Sequence, residues 1–361
     1  MRKFLIDTDT ASDDAVALVI ALQHPDIDVQ AITVVAGNAP LEQCIQNAMY
    51  TVELCGKDTP VYVGCAKPII RELHTGEDVH GQDGMGDIGL PLHGYTPAEG
   101  HAVDMIRKIV NENAGDITLV TLGPLTNVAL ALMIEPDLAQ KVSECYVMGG
   151  LGSGHGNITP LAEFNVWVDP EAAKVVFESG MPIKMVGWDI SWKYATFDPT
   201  LADSIRNIGT PLAEFCVDIQ AVLTQYAIEE SDLPGFDLPD PITMAIAIDP
   251  SIAEFKRYHV DVTTGEDLAR GITSVDILGA TRKPAQVEVA TTASHEKFVA
   301  ILRELVQSSR ETGIQVIPAQ PHTSERNFEK LDHPALNVCE TGYPHRWCIP
   351  LSHGYWSCSG Q

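Results

Sequence analysis

Basic residues are scarce in this chain: 23 Lys and Arg stand against 49 Asp and Glu over 361 residues, a formal charge of −26. A surface of that sign repels phosphate backbones and anionic headgroups, which excludes a polymeric nucleic acid or a membrane surface as the expected partner. Long apolar runs are missing too. Phe4-Leu5-Ile6, after the basic Met1-Arg2-Lys3, meets an acid at once and is too short for a signal peptide, and the apolar stretch Ile117 to Ile134 is interrupted by Gly123-Pro124 and Asn127. The eight cysteines show no Cys-x2-Cys spacing, so reduced thiols in the cytoplasm are expected. A Gly-Lys-Ser/Thr phosphate loop is absent, and Gly149 to Gly154 lacks the full Gly-x-Gly-x-x-Gly spacing of a dinucleotide site. No internal repeat is evident. What remains, 45% hydrophobic and 20% charged residues, is the balance of a globular chain with an ample core.

The chain is organised around its first strand and the turn after it, Phe4 to Ala15. Alternation along a strand sends Asp7 and Asp9 the same way as the chain leaves the sheet, and Ser12 is the expected N-cap of a helix carrying Asp13 and Asp14 in its first turn. Helix-dipole stabilisation, about 0.3–1 kcal/mol per acid, is too weak to gather four carboxylates in a cleft. A hard divalent cation with oxygen ligands would do so.

Downstream, strands are expected over Val29 to Ala36, Pro60 to Gly64, Ile117 to Leu122, Glu144 to Met148 and Ile183 to Gly187. Helical stretches are expected over Pro40 to Cys55, Pro97 to Asn113, Val128 to Met133 and from Asp169-Pro170-Glu171, then over Thr200 to Glu229 and Ile242 to Ile248. A long Gly-rich loop, His74 to His93, and an acidic, Pro-rich one, Ser231 to Pro241, interrupt them. From Phe255 the pattern turns to β with a hairpin around Gly265 or Gly271, and Ser294 to Ser309 closes as a helix. This alternation predicts an α/β fold with an open, mostly parallel, Rossmann-like central sheet flanked by helices, and a ligand site beyond the carboxyl ends of the strands. The body is expected to end near residue 317. Residues 318–361, with crowded His, Cys, Trp and Pro but no zinc-ligand pair, read as a peripheral extension.

Three motifs compete for the opening stretch. An EF-hand loop counted from Asp7 fails at Ser12 and Leu18, where Gly and Glu are required. A haloacid-dehalogenase-type, Mg²⁺-dependent phosphatase would use Asp7 as nucleophile and Asp9 as acid/base, but no convincing downstream Lys motif appears. The third match is more extensive. Asp7-Thr8-Asp9, Asp13-Asp14-Ala15, Val35-Ala36-Gly37-Asn38, His80 to Gly86, Thr121 to Asn127, Val147 to Gly150, Ala162 to Asn165, Asp169 to Ala172 and Asp240-Pro241 occur in the order in which they resemble the inosine–uridine-preferring nucleoside hydrolases, across roughly residues 3 to 310.

That resemblance implies metal-dependent hydrolysis of the N-glycosidic bond of ribonucleosides to ribose and free base. It implies Ca²⁺ held by Asp9, Asp14, Asp240 and the Leu122 carbonyl, with Asp9 also the general base. Asp13, Asn38, Asn157, Glu163 and Asn165 would contact the ribose, Met148, Phe164 and Trp188 would line the substrate pocket, and His80 would approach the base. A homodimer or homotetramer is expected. Many members carry His, the expected proton donor to the leaving base, immediately before the final Asp-Pro; here that position is Pro239. The departure suggests that purine nucleosides outperform uridine. A non-catalytic nucleoside- or ribose-binding protein is the remaining alternative.

Overall fold

The computed structural model describes residues 1–308; the expected extension at 318–361 lies outside them. The chain alternates strand and helix from its start: β1 (Arg2–Thr8), α1 (Ser12–Gln23), β2 (Ile27–Val34), α2 (Leu41–Leu54), β3 (Val61–Val63), α3 (Glu77–His80), β4 (Ala98–His101), α4 (Ala102–Glu112), β5 (Ile117–Thr121), α5 (Thr126–Ile134), β6 (Glu144–Met148), α6 (Phe164–Val168), α7 (Pro170–Glu178), β7 (Ile183–Val186) and α8 (Trp188–Tyr194). A short pair, β8 (Thr196–Phe197) and β9 (Phe236–Asp237), brackets three helices, α9 (Pro199–Arg206), α10 (Pro211–Asp218) and α11 (Ala221–Glu230). Then come α12 (Pro239–Ile248), β10 (Ala253–Tyr258), β11 (Val260–Val262), β12 (Thr273–Val275), β13 (Val287–Ala293) and α13 (His295–Ser308).

Nine strands form one sheet in the order β10-β13-β7-β6-β5-β1-β2-β3-β4, parallel throughout except for the β10–β13 pair. Helices cover both faces, so the central strands are apolar on both sides: Phe4 and Ile6 enter the core shared with α1, α12 and α13, while Leu5 enters the opposite core with α4, α5 and α7. The chain runs outward from β1 to β4, then restarts on the other side of β1 with β5. The crevice between the ends of β1 and β5 is therefore a topological switch point, where open α/β sheets bind ligands.

Several expectations change in detail. Ser12 does not cap α1; Ala11 holds that position, its N–H bonded to Asp14 Oδ2 at 3.0 Å, and the Ser12 hydroxyl meets His80 Nδ1 at 2.9 Å instead. Residues 98–101 pair as an edge strand before α4, where helical period alone is expected from Pro97. The long helical stretch from Thr200 breaks at Gly209-Thr210 and at Gln220 into three helices. The hairpin does form, β11 against β12, with both Gly265 and Gly271 in its loop. Among the described residues no helix is long and apolar enough to cross a membrane.

Candidate active site

Most of the site residues stand where a strand ends or a helix begins. Asp9 follows β1, Asn38 follows β2, Leu122 follows β5 and Met148 closes β6; Trp188 opens α8 just after β7, and Asp240 sits in the first turn of α12. All of these but Asp9 line a cavity of ≈ 230 Å³, more than ten times the roughly 15 Å³ that one water needs by this measure. Asp13, Asn38, His80, Leu122, Met148, Asn157, Glu163, Phe164, Asn165, Trp188 and Asp240 all line it. Asp9 and Asp14 do not line it. Asp14 stands against Asp13 and Asp240, the three carboxylates offering ligand atoms within 4.8 Å of one another.

That trio differs from the set the resemblance implies. Asp13, expected on the ribose, joins the cluster, while Asp9 is not part of that tight group and the Leu122 carbonyl accepts the Asn165 amide at 2.7 Å. Asp9 is nonetheless built in with care. One of its oxygens takes the Asn38 N–H at 2.6 Å; the other is buried and meets no donor. A Cβ at Gly37 would lie 2.1 Å from Asp9 Oδ2 and one at Gly123 2.3 Å from Oδ1, so only glycines leave room for this carboxylate at the switch point.

Electrostatics set the cluster apart from a structural network. Burial raises every acid in it, Asp13 to about 7 and Asp14 to about 6, Asp9 and Asp240 well above the ordinary range; repulsion adds to the effect, among the acids for Asp9, Asp14 and Asp240 and from Asp237 for Asp13. Among the described residues no Lys or Arg pairs with any of the four. Asp9 Oδ1 and Asp13 Oδ1 are buried without a hydrogen-bond donor. An all-oxygen donor set of this kind fits a hard divalent cation.

Other expected residues have more local roles. Glu163 caps α6: its oxygens accept the N–H groups of Asn165 at 2.7 Å, Gly150 at 2.7 Å and Val166 at 3.2 Å, which leaves it little capacity for a sugar hydroxyl, and burial lifts it to about 7. Asn157 accepts the Phe164 N–H at 2.9 Å and so ties the loop between β6 and α6 to the start of that helix. Asn165 donates to Leu122 and contacts Met148 Sδ at 3.2 Å. His80, held by Ser12 and 3.7 Å from Asp13, is pushed down to about 4 by burial and is neutral at physiological pH. Asp7 is tied to Thr33 at 2.6 Å and Asn127 at 2.9 Å and is absent from the cavity wall, so the phosphatase alternative finds no nucleophile there.

Residues 4–300 match the model of the inosine-uridine preferring nucleoside hydrolases. The chain belongs to that family. A pyrimidine-specific ribonucleoside hydrolase, RihA, of Salmonella paratyphi C (strain RKS4594) is 37% identical over 305 residues, 84% of this chain and 97% of that protein. A plant nucleoside hydrolase, PpNRh1, superposes with a TM-score of 0.81 at 32% identity, covering 85% of this chain and 99% of its own. A purine-preferring ribonucleoside hydrolase of Gardnerella vaginalis gives 0.78 at 27% identity, over 85% and 100%. As a nucleoside hydrolase the chain is a ribonucleoside N-glycosidase of a metal-dependent family, and the buried acids of α1 and α12 could bind the metal.

Sequence reasoning missed part of the wall of this nucleoside hydrolase. Asp237, Tyr226 and Leu223 line the cavity from β9 and α11, and His74 and Asp78 from the long loop. The only available signal was the crowding of Asp237 and Pro239 just before Asp240.

Proposed function

We propose that this enzyme is a Ca²⁺-dependent hydrolase that favours purine ribonucleosides, with Asp9 as general base. The observation that carries the reading is the convergence of eleven residues singled out by the sequence on one cavity, with Asp13 and Asp240 of its wall clustered with Asp14. A divalent cation held by Asp14 and Asp240, with Asp9 or Asp13, would supply the positive charge that offsets the acids' repulsion and orders oxygen ligands. Asp9, with one buried oxygen free of donors, is suited to take the proton of an attacking water. Asp13, Asn38 and Asn165 would grip the ribose hydroxyls, and carboxylates around the sugar favour its oxocarbenium-like transition state. Glu163 and Asn157 would hold the loop that covers it.

Base preference follows from the leaving side. Pro239 has no proton to give, so departure depends on an aromatic wall, for which Trp188 and Phe164 are the candidates, with neutral His80 beside the cluster. A purine gains more from stacking, and its ring nitrogen can be protonated from solvent. The relatives' names fall on both sides of this choice. The reading also carries over a homodimer or homotetramer, a catalytic body of residues 1–317 with 318–361 as an extension, and a reducing, cytoplasmic setting suited to the five free cysteines among the described residues.

A nucleoside panel with reducing sugar as the readout tests this directly. Inosine and adenosine are expected to give higher kcat/KM than uridine. Since general acid catalysis typically contributes about 10²–10⁴-fold, the lack of a His before Asp240 should tell most on uridine. Uridine turnover equal to or above that of the purines would overturn the preference, and ribose binding with no turnover of any nucleoside would turn the reading to a binding protein.

A further inference from the structure

Four buried acids line the cavity, and three have evident tasks: Asp13 and Asp240 belong to the acidic cluster proposed for the metal, and Glu163 accepts three backbone N–H groups. The fourth is Asp237, 6% exposed at the end of β9, where it is held in register opposite Thr196 of β8. Its carboxylate accepts the Ser191 hydroxyl at 2.6 Å and lies beside the Trp188 side chain, whose sole donor is the indole N–H and which eases the burial of the charge. Trp188 and Ser191 lie three residues apart on α8, so one carboxylate faces two donors on one side of that helix's first turn.

The carboxylate flanks a ring that faces the cavity. Trp188 opens α8 directly after β7, and its indole lines the wall with the His155 ring packed edge-on at 5.4 Å and 72°. Trp192, one turn further on, lacks such a neighbour: its buried indole N–H has no acceptor. A bare carboxylate is costly to bury, and an amide or hydroxyl could have satisfied the same two donors. What a carboxylate adds is negative charge at the N–H edge of the indole, which enriches the ring face and strengthens its attraction for a base gaining positive charge as it departs.

We propose that Asp237 is a positioning residue that holds and polarises the Trp188 indole as the wall on which the leaving nucleobase stacks, and that it thereby sets the preference for purines. This rests on the reading of the cavity as a nucleoside site. It assigns the base half of that site to β9 and α8, with Asp237 near enough to Asp13 of the sugar half for its charge to raise that carboxyl.

The test compares the parent with Asp237→Ala, Asp237→Asn and Trp188→Phe. Near-ultraviolet circular dichroism, with Trp188→Phe identifying the Trp188 band, reports the indole's orientation without reference to turnover. Asp237→Ala should alter that band and lower kcat/KM for inosine by about 5- to 150-fold, the range expected for losing one base–aromatic stack, while uridine changes less. The inhibition constant for free ribose should rise far less than kcat/KM for inosine falls, because Asp237 reaches the sugar half only through its charge on Asp13. Asp237→Asn, isosteric and still an acceptor, should restore the band and recover part of the inosine rate. An unaltered Trp188 band in Asp237→Ala, equal losses for inosine and uridine, or a parallel rise in the ribose constant would each overturn the proposal. If Asp237→Ala does not fold, an Asp237→Asn variant whose band departs from the parent's without any loss for inosine overturns it equally. A parent that turns over no nucleoside would overturn the functional reading and take the base-wall role with it, whereas active parent enzyme with unaffected variants overturns the role of Asp237 alone.

Discussion

Asp9→Asn is expected to lower kcat by about 10²–10⁴-fold, the usual contribution of a general base. The substitution keeps the shape of the side chain between Gly37 and Gly123 and preserves an oxygen for the Asn38 N–H, so the fold should survive it. What is lost is the proton acceptor and one negative charge of the cluster. Asn165→Ala is the natural comparison. It removes a sugar contact that strengthens in the transition state, but its loss should be smaller, because the amide acts on hydroxyls remote from the water. Steady-state kinetics on inosine, with folding checked by circular dichroism, measures both, and near-parental turnover by Asp9→Asn would reject Asp9 as the base.

The second large effect is expected on removing the metal. Chelation should abolish activity, Ca²⁺ should restore it, and Zn²⁺ should substitute poorly because the donor set is all oxygen. Stability should respond as well, with a definite sign. Asp13 and Asp14 titrate near 7 and 6 in the folded chain instead of near 4, and Asp9 and Asp240 move the same way, so the metal-free folded state holds more protons than the unfolded chain between those values. Its stability therefore falls as pH rises from about 4 through 7. His80 opposes this: its value of about 4 makes the folded state lose stability as pH falls below the ordinary histidine range. Four acids outweigh one imidazole. The metal-free protein is expected to melt roughly 5 °C or more lower at pH 8 than at pH 6. Added Ca²⁺ should close that gap, since a ligand that binds only the folded state stabilises it by mass action. Scanning calorimetry at the two pH values, with chelator and with Ca²⁺, gives the answer; a melting temperature indifferent to both would remove the cluster from the metal account.

Much of this was legible in the chain because the signals are local. The spacing of Asp7, Asp9, Asp13 and Asp14 fixes where a strand ends and a helix begins, and the parallel alternation that follows places those ends on one side of the sheet. The resemblance then ordered the remaining motifs along it. Contacts between distant segments were harder to read. Nothing near Ser12 signals that its hydroxyl is claimed by His80, 68 positions away, in place of capping its own helix. Residues 98–101 carry no strand signal of their own and pair only because β3 offers an edge. Asp237 looked like one more acid in a Pro-rich loop; its importance arises from β8, which turns it towards α8. Glu163 shows the reverse case, a residue chosen for the sugar whose oxygens are engaged in holding a helix terminus.

The central claim is that water cleaves the bond between ribose and base in this cavity. The most direct measurement is mass spectrometry of the products formed from inosine in ¹⁸O-enriched water with Ca²⁺ present. Hydrolysis predicts ribose carrying one ¹⁸O and hypoxanthine carrying none. Unlabelled ribose, a sugar phosphate that forms only when phosphate is added, or intact inosine after prolonged incubation would contradict it.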